Sequence, residues 1–177
     1  MSTAALWLHE PVSVQRLGLK GARAAAWLEQ QGFCVPRRAN TWAPLRAQDR
    51  DDSANVIARL GHTEFFLEAA DASLAGLDRA MSDEAGVYPV LRADAAIVLG
   101  GARATQSLAE VCNVDFAALA LAGKPVVMTL MAGVAVLVLP QARDEGTVYR
   151  IWCDPSFGSY LWETLAEVVK TTTGRAA

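Results

Sequence analysis

The phrase Gly-Ala-Arg-Ala occurs twice in this chain, at 21–24 and at 101–104, so the two copies lie 80 positions apart (101 − 21). Further apolar residues match at the same offset: Leu17 with Ile97, Leu19 with Leu99, and Leu28 with Leu108. Each copy follows an apolar run and precedes a helical pattern. Self-similarity at one long spacing identifies a duplicated structural unit. We therefore predict two pseudo-repeat halves, about 1–86 and 87–177, within a single domain of residues 1–177.

The size and composition of the chain suit one globular domain. It has 177 residues, of which 53% are hydrophobic and 20% are charged, and a chain of this length buries most of the surface that it exposes when unfolded. The net charge is −3 and the isoelectric point is near 5.4, which gives no general attraction to a phosphate backbone or an anionic membrane. We expect neither nucleic acid nor a membrane as a partner.

The cysteines and the apolar segments indicate where in the cell the protein resides. Cys34, Cys112 and Cys153 are widely spaced and form no Cys-x-x-Cys motif, which is typical of buried thiols in a reducing environment. Residues 1–14 have no basic stretch, so they are not expected to form a secretory signal peptide. The apolar run 125–140 is shorter than the ~20 residues that span a bilayer. These features predict a cytoplasmic protein whose longest apolar run forms strands.

The first half is predicted to contain a strand, a helix, two short strands and a second helix. In order, these are a strand at 13–19, a helix at 22–31 closed by Gly32, strands at 56–61 and 64–70, and a helix through 74–81. The segment 36–55 carries two prolines and many charges without a period. It is therefore predicted to be a surface loop.

The second half is predicted to repeat this order. In sequence, these are a strand at 96–99, a helix at 101–112, strands at 125–131 and 134–140, a strand at 146–153, and a helix that starts at Pro155 with Asp154 as its N-cap. On that last helix the residues predicted to face the core are Phe157, Leu161, Leu165 and Val168. Two β-α-β-β-α-like halves that share a sheet predict an α+β fold with antiparallel pairing.

No residues stand in a spacing that is typical of a catalytic or metal site. The glycine pairs at the two strand-to-helix turns match neither the dinucleotide-binding nor the phosphate-binding loop. His9 and His62 are the only histidines and are not spaced as metal ligands. Cys112 has no evident histidine partner that would activate a thiolate. We therefore predict no catalytic residue and no bound metal.

The tryptophans are better candidates for contact with a partner. Trp42 lies in the predicted charged loop, and Trp162 falls outside the core face of the last helix. Either side chain could be an exposed aromatic anchor at a protein interface. The alternative is that the fold buries them, as it does most tryptophans.

The chain resembles the gamma-subunit family of heterotetrameric sarcosine oxidases. In the second half the resemblance lies in LGGARATQSLAEVCNVDF, VVMTLMAGVAVLVLP and YRIWCDPSFGSYLWETL, and in the first half in LGLKGARAAAWLEQQGFCVPRRANTW and RLGHTEFFLE. It covers most of the chain and is sharpest from Ser156 to Trp162. That family lies within the T-protein, or aminomethyltransferase-like, folate-binding superfamily, so the resemblance implies a T-protein-like folate-binding-domain fold.

The resemblance also implies partners and cofactors. A gamma-type chain packs against larger flavin-containing subunits, in an enzyme that oxidises N-methyl groups and passes the carbon to tetrahydrofolate. The flavin and folate sites belong mainly to those larger chains, so this chain is expected to bind no cofactor alone. The sequence lacks the Lys-Gly-Cys motif of the related iron–sulfur-assembly proteins, and we expect it to be too short for a complete T-protein.

Two functions therefore remain open. The first is a non-catalytic subunit of an oxidoreductase complex, with partner-contact candidates at Trp42, Arg150, Trp152, Ser156, Tyr160 and Trp162. The second is a stand-alone folate-binding or aminomethyltransferase-like protein. In that case the candidates for a pterin site are a carboxylate, Asp115, and two flanking aromatic residues, Trp152 and Tyr160. The substrate amine is left open by both.

Overall fold

The computed structural model describes residues 6–174. In chain order the strands are β1 (Trp7–His9), β2 (Gln15–Lys20), β3 (Thr41–Pro44), β4 (Val56–Arg59), β5 (Glu64–Ala69), β6 (Tyr88–Val90), β7 (Ala95–Gly100), β8 (Val127–Met131), β9 (Val134–Arg143) and β10 (Gly146–Cys153). The helices are α1 (Ala24–Gln30), α2 (Leu77–Ser82), α3 (Ala104–Leu108) and α4 (Gly158–Gly174). The prediction that 1–14 form no signal peptide falls partly on residues 1–5, which lie outside the described residues.

The chain divides into two compact units, each built on its own five-stranded antiparallel sheet. Unit A comprises residues 12–93, and unit B comprises residues 1–11 together with 94–177. The expectation that the two halves share one sheet is therefore wrong. Whether residues 1–177 make a single domain stays a prediction. No helix among residues 6–174 is long and apolar enough to cross a bilayer.

Unit A has the strand order β3-β4-β5-β2-β6. Its core forms where α1 packs on the sheet, because Ala24, Trp27 and Leu28 recur at helical spacing and all three are buried. They join Leu19 and Phe65 from the two central strands in one hydrophobic cluster. The core of unit A therefore lies between its sheet and its helices.

Unit B has the strand order β1-β7-β10-β9-β8. Helix α4 buries Leu161 and Leu165 in the same cluster as Ile97 of β7 and the alternate residues Tyr149 and Ile151 of β10. Helix α4 and the core cluster therefore lie on one face of the sheet. The residues that alternate with these along each strand point to the opposite face of the sheet. We call this opposite face the outer face of unit B.

The duplicated phrase folds twice into the same turn. Gly21 and Gly101 follow β2 and β7 with φ of +138° and +112°, and each carbonyl accepts from the N–H three residues on, at 3.1 and 3.0 Å. The next arginines, Arg23 and Arg103, stand at the helix N-caps with φ of −99° and −106°. Positive φ is permitted to glycine at little cost. The repeated glycine thus makes the same strand-to-helix turn in both halves.

The two sheets also match in topology, and the first strands of the two sequence repeats are exchanged. Reading each sheet from the strand before the duplicated turn, β2-β5-β4-β3 corresponds to β7-β10-β9-β8. The fifth strand is β6 in unit A and β1 in unit B, and these lie 81 positions apart (88 − 7). Strand β1 precedes β2 in the chain but pairs with β7, and β6 precedes β7 but pairs with β2. The repeat is therefore real, but each unit takes its fifth strand from the other repeat.

Three sequence-based expectations are corrected by the structure. Segment 36–55 is not wholly a surface loop, because it contains β3, which pairs with β4. Helix α3 spans only Ala104–Leu108, against the predicted 101–112, and turns follow it. Phe157 does not face the core but is 51% exposed, since it belongs to a short 3-10 turn before α4 starts. The remaining predicted strands and the hairpin around Ala132 and Gly133 are confirmed.

Candidate functional site

The segment from β10 into α4 carries most of the predicted contact residues. Asp154 caps the turn as predicted: its Oδ1 accepts from the backbone N–H of Ser156 at 2.9 Å and from the Ser156 hydroxyl at 2.5 Å. The Ser156 side-chain and backbone hydrogen bonds lower the pKa of the Asp154 carboxyl. Both side chains are exposed. The pair holds the entry to α4, and the lowered pKa makes Asp154 a poor proton donor.

Arg150 and Trp152 lie on the outer face of unit B. They alternate with Tyr149, Ile151 and Cys153, which point into the core cluster. Both are buried, and the Arg150 guanidinium carbon lies 5.7 Å from the centroid of the Trp152 ring. A guanidinium over an indole is a favourable cation–π arrangement. These two residues form a buried pair rather than an exposed contact.

Tyr160 is the most accessible aromatic residue among the predicted contacts. Its side chain is 53% exposed, and its hydroxyl donates to the backbone carbonyl of Ala132 at 3.2 Å. Ala132 lies in the two-residue turn between β8 and β9. The hydrogen bond fixes the ring over this hairpin. A half-exposed tyrosine is the kind of side chain that can become an interface hot spot.

Trp162 lies in a shallow cleft of about 300 Å³ within unit B. The cleft is also lined by Ser159 and Glu163 of α4, by Pro155, and by Glu10 after β1. It is at the lower limit of the volumes that drug-sized ligands occupy. Two exposed carboxylates beside an indole give it an acidic, partly apolar lining.

Trp42 does not occupy an exposed loop. It lies in β3 opposite Ala58 and is only 4% exposed. The expectation that it is an exposed anchor is therefore wrong: the charged and proline-containing segment around it forms an edge strand that buries Trp42, on the face opposite the core cluster that its neighbour Ala43 packs against.

The three candidates for a pterin site are not brought together. The Asp115 carboxylate accepts from the N–H of Ala117 at 3.0 Å and so caps a short turn. The neighbouring Phe116 enters the core cluster under the sheet, whereas Trp152 lies on the outer face of that sheet. Tyr160 is on α4 and contacts the hairpin turn. These side chains therefore do not form one concave site.

Among residues 6–174, Cys112 and Cys153 are the buried thiols, and both lie in unit B. No group of three or more histidine, cysteine, aspartate or glutamate side chains in the described part of the chain could hold a metal ion. Cys112 is buried, with its Sγ 3.9 Å from the Thr129 hydroxyl. Burial raises the pKa of the Cys153 thiol, and the charges of Asp154 and Asp94 raise it further. Cys153 is thus held as an unreactive thiol.

Two exposed apolar residues in β8 were not among the predicted contacts. Met128 and Leu130 are 56% and 61% exposed. They were hidden in the predicted apolar strand, because an apolar run without alternation does not tell which face of a sheet is covered.

Comparison with solved structures shows the fold. One similar chain belongs to the heterotetrameric sarcosine oxidase from Corynebacterium sp. U-96, with a TM-score of 0.74 and 23% identity over 97% of this chain and 87% of that one. Another is the glycine cleavage system aminomethyltransferase T from Bartonella henselae, with a TM-score of 0.69 and 14% identity over 93% of this chain. This chain spans only 46% of that aminomethyltransferase.

Neither a protein-family model nor a curated protein sequence matches this chain. The structural likenesses nevertheless agree with the two sheets and few helices described above. They confirm the predicted fold class: the chain has an α+β fold of the kind found in the aminomethyltransferase T and in one chain of a sarcosine oxidase.

Proposed function

We propose that this chain is a non-catalytic, gamma-type subunit of a heterotetrameric sarcosine-oxidase-like complex. Such a complex would oxidatively demethylate N-methyl amino acids and use tetrahydrofolate as the one-carbon acceptor. The observation that carries the proposal is the whole-chain likeness to one chain of a heterotetrameric sarcosine oxidase, which covers 97% of this chain and 87% of that one. A likeness that covers most of both chains supports a role equivalent to that chain's.

The proposed partners are larger flavin-containing subunits, and the proposed location is the cytoplasm. Flavin and tetrahydrofolate would be held by the complex rather than by this chain alone. In support, the candidate pterin residues Asp115, Trp152 and Tyr160 are not brought together, and the Asp115 carboxylate caps a turn. We therefore assign no reaction step to this chain.

Tyr160 and Ser156 are the predicted contacts that the fold leaves exposed. Trp162 contributes an edge of its cleft, while Trp42, Arg150 and Trp152 are buried in the described chain. We propose that the accessible residues contact a partner directly. Arg150 and Trp152 would act by holding the sheet of unit B, which carries this surface.

Co-purification tests the proposal. The chain is tagged and co-expressed with the larger subunits encoded in its own organism, and the eluted chains and bound flavin are measured. We expect one complex of fixed stoichiometry that carries flavin. We also expect Tyr160→Ala to weaken assembly by at least about tenfold, while Lys170→Ala, a 75% exposed position on the same helix, leaves it unchanged. Recovery of the tagged wild-type chain without larger subunits would contradict the proposal.

The alternative is a stand-alone folate-binding or aminomethyltransferase-like protein. The likeness to the aminomethyltransferase T, with a TM-score of 0.69, favours it. Titration of the isolated chain with a reduced folate, followed by tryptophan fluorescence, decides between the two. Saturable quenching would support the alternative, whichever residues bind the folate, and the absence of any saturable change would exclude it.

A further inference from the structure

Arg59, the last residue of β4, holds two loops of unit A together. One loop, residues 36–40, leads into β3, and the other, residues 60–63, joins β4 to β5. The Arg59 guanidinium donates to four backbone carbonyls at 2.5 to 3.2 Å, two in each loop: those of Pro36, Arg37, Gly61 and His62. The rigid fork of donors on a guanidinium suits such multiple bonding. The two loops therefore lie side by side at one end of the sheet. We call residues 36–40 the arginine loop.

The backbone of the arginine loop is fixed, whereas its two arginine side chains are exposed. The Thr41 hydroxyl donates to the Arg38 carbonyl at 2.6 Å, and the Asn40 N–H donates to the Arg59 carbonyl at 2.7 Å. Asn40 has φ of +55°, a conformation that asparagine adopts more readily than most residues. The side chains of Arg37 and Arg38 project from this fixed backbone into solvent. Such preorganisation lowers the entropic cost of binding a partner.

Acidic side chains of this chain do not neutralise the arginine loop. Within residues 6–174, the side chains of Arg37 and Arg38 form no ion pair. Glu64, just after the second loop, pairs with Arg92 at 3.2 Å. The acidic residues of 49–52 lie beyond the other end of β3, in the connection to β4. This end of unit A thus presents two positive charges on a chain whose net charge is −3.

We propose, resting on the function proposed above, that the arginine loop is the docking site for an acidic segment of a larger subunit of the complex. Each guanidinium can bind a carboxylate through two parallel hydrogen bonds, and arginine is one of the residues that dominate interface energies.

Charge complementarity favours this occupant. Because the chain as a whole is negative, an acidic segment is repelled elsewhere and attracted to Arg37 and Arg38, which fixes where it docks. The same net charge disfavours the long phosphate backbone of a nucleic acid. The match of the fold to a chain of a heterotetrameric enzyme favours a different polypeptide over a second copy.

Arg37→Glu and Arg38→Glu test this proposal in the co-expressed complex. Each reverses one charge and keeps the backbone carbonyl that is bonded in the loop. We expect each to lower the affinity for the larger subunits at least about tenfold at low ionic strength. The difference from the wild type should shrink as added salt screens the charges.

Arg79→Glu is the matched control, because it makes the same charge change at an exposed position of α2 in the same unit. The control is expected to assemble as the wild type does. Cooperative thermal unfolding of all three variants shows that they are folded.

Retention of the larger subunits on the tagged chain is measured over a series of salt concentrations. If the wild type retains them and both arginine-loop variants do so as well as Arg79→Glu, the docking site is overturned while the proposed function stands. A loss that salt does not diminish would overturn the electrostatic contact. If the wild type binds no larger subunit, the proposed function fails and the docking site fails with it. A single-stranded oligonucleotide that binds the wild type but neither variant, with assembly unchanged in both, would overturn the choice of a protein partner.

Discussion

Substitution of Gly21 by alanine tests the duplicated turn most sharply. Gly21 has φ of +138°, a conformation that costs a residue with a Cβ about 1–3 kcal/mol. The new Cβ would also lie 2.9 Å from the backbone carbonyl carbon of Gly86 and closer still to its oxygen. Forcing such contacts apart costs about 1–3 kcal/mol more. We expect a total loss of about 4 kcal/mol in the free energy of unfolding.

Two glycines of the same unit provide graded controls. Gly76 has φ of +77°, and no atom lies within 4 Å of the place that an alanine Cβ would take, so Gly76→Ala should cost only about 1–2 kcal/mol for the backbone. Gly61 has no positive φ, and the atom nearest to its added Cβ, the Glu64 Cβ, is 4.0 Å away. Gly61→Ala should be neutral within about 0.5 kcal/mol.

The assay is equilibrium unfolding by denaturant, with thermal unfolding as a second measurement. For a chain of this size, 1 kcal/mol corresponds to about 2–4 °C in Tm, so Gly21→Ala should lower Tm by about 8–16 °C. The reasoning is refuted if Gly21→Ala is no more destabilising than Gly76→Ala.

Three further predictions concern the core and the titrating groups. Leu165→Ala should cost about 3 kcal/mol because it empties a buried site, while Phe157→Ala at its exposed site should cost less than about 1 kcal/mol; chemical denaturation measures both. Burial raises the pKa of the Tyr149 hydroxyl above its ordinary value of 10.0. The stability that the neutral Tyr149 contributes should therefore be complete below pH 10 and be lost as the pH rises through the pKa of the folded state. Ultraviolet absorbance follows the ionisation of the phenol, and denaturant unfolding at each pH follows the stability. Cys34 is half-buried and should react with a thiol reagent in the native state before Cys153, whose thiol is buried and has a raised pKa.

The repeated elements could be predicted from sequence because their causes are local. The glycines of the duplicated phrase stand where the chain needs positive φ, so Gly21 and Gly101 identify the same turn in both halves. The hairpin at Ala132 and Gly133 is set by turn chemistry between two apolar strands. Asp154 caps its turn because an aspartate side chain can accept from a backbone N–H two residues on.

The exchange of β1 and β6 could not be predicted, because both strands have only three residues and pair with partners that are distant or non-consecutive in sequence. Short strands carry too little alternation to indicate a partner or a sheet. Strand β3 was hidden for a different reason. Its proline and the charges around it are typical of loops, but an edge strand tolerates both.

The exposure of the predicted contact residues could not be read from the sequence. The segment from Arg150 to Trp162 does carry exposed residues, yet β10 alternates between two faces, and Trp152 is buried beside Arg150. Exposure of Phe157 and Leu130 depends on where α4 begins and on which strand lies at the edge. Those are properties of the assembled sheet rather than of any short segment.

The mass of the native assembly purified through this chain tests the account most directly. Native mass spectrometry should show this 18.9 kDa chain bound to larger flavin-containing chains at fixed stoichiometry. Dissociation should then release this chain without flavin or folate. A tagged wild-type chain found without any larger subunit would contradict the account.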